Sequence, residues 1–259
     1  MIGIFDSGLG GLTAYKELHA LLPAGDFVYF GDTGRVPYGS RSREILTRYA
    51  RQDIRFLLRQ GADVILAACG TVSSVVLDDI KSEFSIPLFG VVDASVNAAL
   101  AATKNEKIGV IGTGATISSG AFAKKIAAAN PHAAVTSIAC PLFVPLVENG
   151  YIGRGCTVTR EVAADYLAPL RDEGIDTLIL GCTHFPIIAD IIGDLLPGVT
   201  LVNSGAAAAA EVAAVCGKTS GSGSASFFVS DSPVNFDTVA RVFLGGETIR
   251  AQKVDIEAY

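Results

Sequence analysis

Two cysteines stand in the same local frame. Cys69 ends the run Val64-Ile65-Leu66-Ala67-Ala68-Cys69 before Gly70-Thr71, and Cys182 ends Leu178-Ile179-Leu180-Gly181-Cys182 before Thr183-His184, at an offset of 113 residues. Each sulfur follows an apolar, β-rich run and precedes a segment of helical period, so each is expected at the carboxyl end of a strand, where open α/β sheets place their ligands. There the free N–H groups and positive dipole end of the next helix favour a thiolate. A single cysteine of this kind is ordinarily a small buried residue. Two in register within a repeated frame point to chemistry instead. Thiols facing each other across a cleft suit removal of a proton from one face of a carbon and delivery of another to the opposite face, with the roles exchanging by direction. That is racemisation or epimerisation.

Other polar residues fall at the same ends of expected strands. Asp6 and Ser7 follow the first, and Asp32 with Thr33 follows the second, ahead of Pro37-Tyr38-Gly39-Ser40. Such carboxylates can orient a thiol or bind an ammonium group, and Asp32 is equally suited to turn capping. His184 lies two residues beyond Cys182, where an imidazole can hold or exchange that thiol's proton. Glu148, at the end of Leu142-Phe143-Val144-Pro145-Leu146-Val147, reads by itself as a solvated acid. Gly8-Leu9-Gly10-Gly11 lacks the G-x-G-x-x-G spacing of a dinucleotide site. With three His, no C-x-x-C and no lysine at a convincing strand end, neither a zinc site nor a Schiff base is expected. The simplest chemistry is free of cofactors and metals.

The elements that must position these groups read as an α/β protein. Short apolar runs near 2–5, 27–30, 64–68, 88–91, 108–111, 135–139, 177–180, 200–202 and 227–229 are expected strands. They alternate with segments of helical period, the pattern of βα units around a parallel sheet. The clearest helix spans 40–60, with Ser40 as its cap and Gly61 at its stop, its opposite face Arg-rich and solvated. Further helices are expected over 71–84 and 184–196. Residues 218–226 are Gly- and Ser-rich and read as a surface loop without chemistry. A second echo pairs Ile2-Gly3-Ile4-Phe5-Asp6-Ser7-Gly8 with Ile108-Gly109-Val110-Ile111-Gly112-Thr113-Gly114 at an offset of 106. Two echoes in the same order make the chain a duplicated α/β unit, in which similar strands occupy similar places.

Composition removes other classes. Of 259 residues 50% are hydrophobic and 18% charged, which excludes disorder. The net charge of −6 and the lack of a basic run argue against nucleic acid. No window approaches the roughly 18 to 20 apolar residues of a membrane helix, and the opening run lacks the basic flank of a signal peptide. Five cysteines (Cys69, Cys140, Cys156, Cys182, Cys216) without framework spacing fit a reduced, cytoplasmic setting.

With these motifs in view, the chain resembles the glutamate racemases, cofactor-independent members of the aspartate/glutamate racemase superfamily. The resemblance rests on Gly3 to Leu12, on Tyr29-Phe30-Gly31-Asp32-Thr33 with Val36-Pro37-Tyr38-Gly39, on Pro141 to Glu148, and on Leu180-Gly181-Cys182-Thr183-His184-Phe185-Pro186. It implies two similar α/β domains with mainly parallel sheets, 1–92 plus 207–259 and 93–206, related by a pseudo-twofold duplication with the active site between them. It implies Cys69 and Cys182 as the two bases, Asp6 serving Cys69, His184 serving Cys182, and Asp32 and Glu148 as further acids. Substrate contacts would come from Asp6, Ser7, Pro37, Tyr38, Gly39, Cys69, Gly70, Thr71, Thr116, Cys182, Thr183 and His184. The expected activity is interconversion of L- and D-glutamate, a small-molecule substrate, supplying D-glutamate for peptidoglycan, with a homodimer as the expected assembly.

Gly70 departs from the pattern. Where the family has Cys-Asn-Thr-Ala, this chain reads Cys69-Gly70-Thr71-Val72, so a substrate-binding amide is missing. The expectation is weaker glutamate binding or an enlarged site, which keeps two alternatives open: another substrate such as aspartate, or a catalytically weak amino-acid-binding homologue. Asn203, where Asp is expected, carries little functional weight. The start directly on the first strand, without the extension of relatives controlled by a cell-wall precursor, makes such activation unexpected.

Overall fold

Uninterrupted Val, Ile, Leu and Phe runs form strands buried on both faces, as parallel sheets between helix layers require. The computed structural model describes residues 1–217 and 221–259. Its strands are β1 (Ile2–Asp6), β2 (Phe27–Gly31), β3 (Val64–Ala67), β4 (Leu88–Gly90), β5 (Lys107–Gly112), β6 (Ala134–Ala139), β7 (Thr177–Leu180), β8 (Thr200–Asn203), β9 (Ala225–Val229) and β10 (Ala251–Lys253). They form a six-stranded sheet, β10-β9-β2-β1-β3-β4, and a four-stranded sheet, β6-β5-β7-β8. Every strand pairing among the described residues is parallel. This is the expected fold class.

The duplication is present in the register. The order β2-β1-β3-β4 repeats as β6-β5-β7-β8. Ile2 pairs with Val64 as Ile108 pairs with Thr177, the same two offsets that the sequence echoes carry. Ile65 opposite Leu88 likewise becomes Leu178 opposite Leu201. Gly3 and Gly109 give the physical reason for one shared feature. A Cβ on Gly3 would meet Ala62, Ile65 and Leu57 at 2.9 to 3.2 Å, and one on Gly109 would meet Ile175, Leu178 and Leu170 at 2.6 to 3.2 Å. The three neighbours are again the same positions of the repeat. A central strand without a side chain there lets a helix, Arg43–Arg59 or Thr157–Asp172, settle onto the sheet.

Side chains on the central strands alternate between clusters. Phe5, Val28, Phe30 and Ile65 pack under the helix Arg43–Arg59. Ile108, Val110, Ile179 and Val202 pack with Val92, Val96 and Ala99 of the helix Val91–Ala102. A third cluster runs from Ile4, Leu12 and Tyr29 through Ala208 and Val212 to Leu178, Leu180 and Phe185, so it joins the two sheets. One continuous apolar body therefore fixes how the two cysteine-bearing strands approach each other.

Several local expectations are corrected. The helix expected at 40–60 is Arg43–Arg59, and its cap is Ser42, whose hydroxyl accepts from the Ile45 N–H at 3.4 Å. Ser40 instead closes the 3₁₀ turn Tyr38–Ser40. Gly61, with φ +91°, is the stop. The arginine face of that helix is more than solvated, since Arg51 pairs with Glu83 at 2.5 Å and Arg43 pairs with Asp79. Expected helix 71–84 breaks into Gly70–Val75, Leu77–Ile80 and a 3₁₀ turn, and 184–196 opens as the 3₁₀ turn Phe185–Ile188 before Ala189–Leu195. Of the Gly/Ser stretch, 218–220 lie outside the described residues, while Ala225 and Ser226 already belong to β9. Strand β10 was not expected, because three residues with one partly covered side chain leave no readable alternation.

Filling either glycine site should cost stability without touching the cleft. Gly3→Val and Gly109→Val are each expected to lower the free energy of unfolding by about 1–3 kcal/mol through overpacking. Urea unfolding followed by circular dichroism reads this directly, and an unchanged midpoint would show that the close packing is not a constraint.

Candidate active site

The carboxyl ends of β1, β3, β5 and β7 open onto one cavity of about 470 Å³. Cys69, Gly70 and Thr71 enter it after β3, and Gly181, Cys182, Thr183 and His184 after β7. Asp6, Ser7 and Gly8 line it after β1, and Thr113 and Gly114 after β5. Both expected thiols are buried, 4% and 8% exposed, and line the same space.

Geometric repetition does not extend to the chemistry. In the repeat His184 takes the place of Thr71, and Asp6 the place of Gly112, so each thiol has a different neighbour. His184 Nδ1 lies 3.9 Å from Cys182 Sγ, and its Nε2 lies 3.0 Å from Glu148 Oε1. Burial disfavours the charged imidazole, yet the hydrogen bonds to Cys182 and Glu148, with the charges of Cys182 and Asp6, push its pKa up to about 10. His184 is therefore protonated at neutral pH. Among the described residues no Lys or Arg lines the cavity, so this imidazolium is its cation.

Around Cys69 the signs are reversed. Burial first, and then the negative charge of Asp6, push the Cys69 thiol up to about 12, only partly offset by hydrogen bonds from Val72 and Ser7. Cys69 rests as a thiol. Asp6 is itself raised above the usual carboxylate range by burial, against the lowering effect of His184 and of hydrogen bonds from Gly8 and Gly11. Its Oδ2 accepts the Gly8 N–H at 2.9 Å, and its Oδ1 accepts the Thr183 hydroxyl at 3.4 Å, which ties the first half of the site to the second. Tyr29 supports the same turn by donating its hydroxyl to the Gly8 carbonyl at 2.9 Å.

Of the residues expected from sequence, Ser7, Pro37, Tyr38, Gly39, Gly70, Thr71, Glu148 and Thr183 line the cavity with Asp6, His184 and both cysteines. Asp32 and Thr116 do not. Asp32 lies behind Tyr38, fully buried, accepting from the Tyr38 hydroxyl, from Arg35 Nε at 2.6 Å and from the Ser230 hydroxyl at 2.7 Å, so its oxygens are already occupied. Thr116 sits behind Thr113, its hydroxyl 3.0 Å from that of Thr113. The wall residue is Thr113, whose hydroxyl reaches Thr71 across the cleft at 3.1 Å. Thr113 answers to Ser7 in the repeat, a signal present in the sequence. Cys140, also in the wall, was not expected; it is the counterpart of Asp32 at the end of β6, and burial, then the charge of Cys182, push it up to about 12.

Gly70 does not enlarge the site. A Cβ there would overlap the carbonyl oxygen of Gly181, so the missing side chain is filled by backbone from the other half. The residue after one cysteine thus touches the residue before the other.

An α/β protein whose two halves bring paired thiols, an imidazolium and a buried carboxylate to one cleft is built for proton transfer on a small molecule. The chain belongs to the Asp/Glu/hydantoin racemase family, whose sequence signature matches residues 17–212. The glutamate racemase of Geobacter metallireducens is 43% identical, covering 99% of this chain and 97% of that one. That of Aquifex aeolicus is also 43% identical, covering 95% and 94%. The crystal structure of glutamate racemase from Francisella tularensis in complex with D-glutamate superposes with a TM-score of 0.91 at 35% identity, covering 100% of this chain and 98% of that one.

Two outcomes follow from the geometry. Glu148→Gln removes a negative charge that favours imidazolium, so the His184 midpoint, followed by NMR on ¹⁵N-histidine protein, should fall from about 10; the fall should be roughly one pH unit or less because Glu148 is partly solvated. No change would remove Glu148 as the partner. Gly70→Asn should lower racemase kcat/KM by about tenfold to a hundredfold, since a displacement near 1 Å at the reacting groups costs that much. A gain would mean that the absent amide, and not the close approach, governs this position.

Proposed function

We propose that this protein interconverts L- and D-glutamate without an organic cofactor, Cys69 and Cys182 exchanging the roles of base and acid at the α-carbon. The observation that carries this reading is the entry of both thiols into one cavity from equivalent strand ends, β3 and β7. Its support from relatives is the 43% identity to glutamate racemases over nearly the whole chain.

The protonation states suit a two-base exchange. Cys69, with its pKa near 12, holds a proton to deliver. Cys182 has the protonated His184 beside it as the positive partner for a thiolate. In one direction the Cys182 thiolate takes the α-proton, becoming a thiol, and the electron pair moves toward the α-carboxylate. Cys69 then gives its proton to the opposite face and becomes the thiolate. The reverse reaction exchanges the roles, with Asp6 and His184 as the groups through which the two sulfurs return to their starting states.

An α-proton is weakly acidic, so stabilising the developing negative charge must supply much of the barrier reduction. The hydroxyls of Ser7, Thr71, Thr113 and Thr183 and the nearby backbone N–H groups are the donors for the two carboxylates, and the buried walls keep water from competing. The product D-glutamate would serve peptidoglycan synthesis, in a cytoplasmic setting.

Cys69→Ser and Cys182→Ser are each expected to lower racemisation by roughly 10²- to 10⁴-fold, the usual worth of a positioned acid or base. Polarimetry on glutamate, aspartate and other amino acids checks this. Full activity in either variant would end the two-thiol account, and preference for aspartate would move the substrate while keeping the chemistry.

A further inference from the structure

Beneath the cavity wall formed by Pro37, Tyr38 and Gly39 lies a buried polar cluster that touches no reacting atom. Asp32 and Asp53 are both 0% exposed. Arg35 donates from Nε to Asp32 at 2.6 Å and from Nη2 to Asp53 Oδ1 at 3.0 Å. Its Nη1 reaches Gln52 Oε1 at 2.5 Å and Glu257 Oε1 at 3.2 Å, which brings in the carboxyl-terminal turn Ile256–Ala258. The guanidinium also lies over the Tyr49 ring, 4.0 Å from its centre.

The Tyr38 hydroxyl poses a counting problem. It sits against Asp32 Oδ2 and, at 3.1 Å, against Asp53 Oδ2. A phenol has one proton to donate. With both carboxylates ionised, one of these contacts would set lone pair against lone pair between fully buried groups. Asp32 has three donors, Arg35, Tyr38 and Ser230, and is satisfied as an anion. Among the described residues, Asp53 has Arg35 at one oxygen and Tyr38 alone at the other.

We propose that Asp53 is a neutral carboxylic acid that donates to Tyr38, which donates in turn to Asp32, and that this chain of hydrogen bonds holds the Tyr38–Gly39 wall against the second half of the cleft. Burial and the charge of Asp32 both act in this direction on Asp53, with Asp6 adding to them and Arg35 opposing. The charged and titratable groups facing Asp53 are then Asp32, Arg35 and Tyr38 from the loop, Asp6 from β1 and Glu257, through Arg35, from the carboxyl-terminal turn. The wall has little freedom to yield, because a Cβ on Gly39 would already stand 3.0 Å from Thr113. Asp53 is thus a positioning residue that acts through Tyr38. Its effect on turnover rests on the racemase reading; its proton does not.

Infrared difference spectroscopy at neutral pH, on protein carrying ¹³C-labelled aspartate, tests the proton without any assay of activity. A protonated-carboxyl band that shifts with the label and loses intensity in Asp53→Asn is the expected result, and no loss would overturn the proposal. Kinetics test the positioning. Asn keeps a neutral donor beside Tyr38, so Asp53→Asn should stay within about threefold of wild-type kcat/KM, whereas Asp53→Ala and Tyr38→Phe should raise KM about tenfold with a smaller change in kcat. An asparagine variant as impaired as the alanine one would show that the charge of Asp53, and not its neutral form, is what the site uses.

Discussion

Among the described residues, one cation serves a cavity lined by three thiols and two carboxylates. Burial of Asp6, His184, Cys69 and Cys182 leaves them dependent on one another, because a buried charge without a partner is too costly to persist. His184 supplies the positive charge, and Glu148 and Cys182 hold it in place. Asp6 and Cys69 are both shifted toward their neutral forms by burial. The site is therefore polarised at rest, with an imidazolium beside one sulfur and a proton held on the other. That difference is what a two-base exchange needs before substrate arrives.

The duplicated fold explains how such a site can be assembled. Two copies of one βα arrangement share strand order, register and even the three side chains that crowd the central glycine. Each delivers a cysteine from an equivalent strand end. A shared apolar cluster locks the two sheets together, and the contact of Gly70 with the Gly181 carbonyl brings the two cysteine turns as close as backbones allow. Symmetry of the frame brings both sulfurs into one cavity; replacement of single residues, Thr71 by His184 and Gly112 by Asp6 in the repeat, gives them different surroundings.

Much of this was legible in the sequence because it is local. Strand runs such as Lys107–Gly112 and Thr177–Leu180 announce themselves by composition, and the two echoes carry the true register. The site residues on β1, β3 and β7 follow from strand-end position alone. What was not legible depends on contacts between distant segments. Asp32 looks like Asp6 in sequence, but Arg35, Tyr38 and Ser230 take up its oxygens and turn it from the cavity into a support. Gly70 looks like a deleted amide, and the carbonyl that fills its place comes from 111 residues away. Cys140 enters the wall because β6 repeats β2, a correspondence too weak in side chains to read.

The central claim is that different sulfurs handle the two faces of the α-carbon. The direct test is proton NMR with chiral analysis of the first few per cent of reaction, in deuterated water without pyridoxal phosphate, starting from L-glutamate and separately from D-glutamate. The account predicts deuterium at the α-carbon of the product enantiomer and none in the remaining substrate, in both directions, because the proton is taken by one thiol and replaced from the other. Product that retains the original proton, or substrate that exchanges as fast as product forms, would mean that a single base serves both faces.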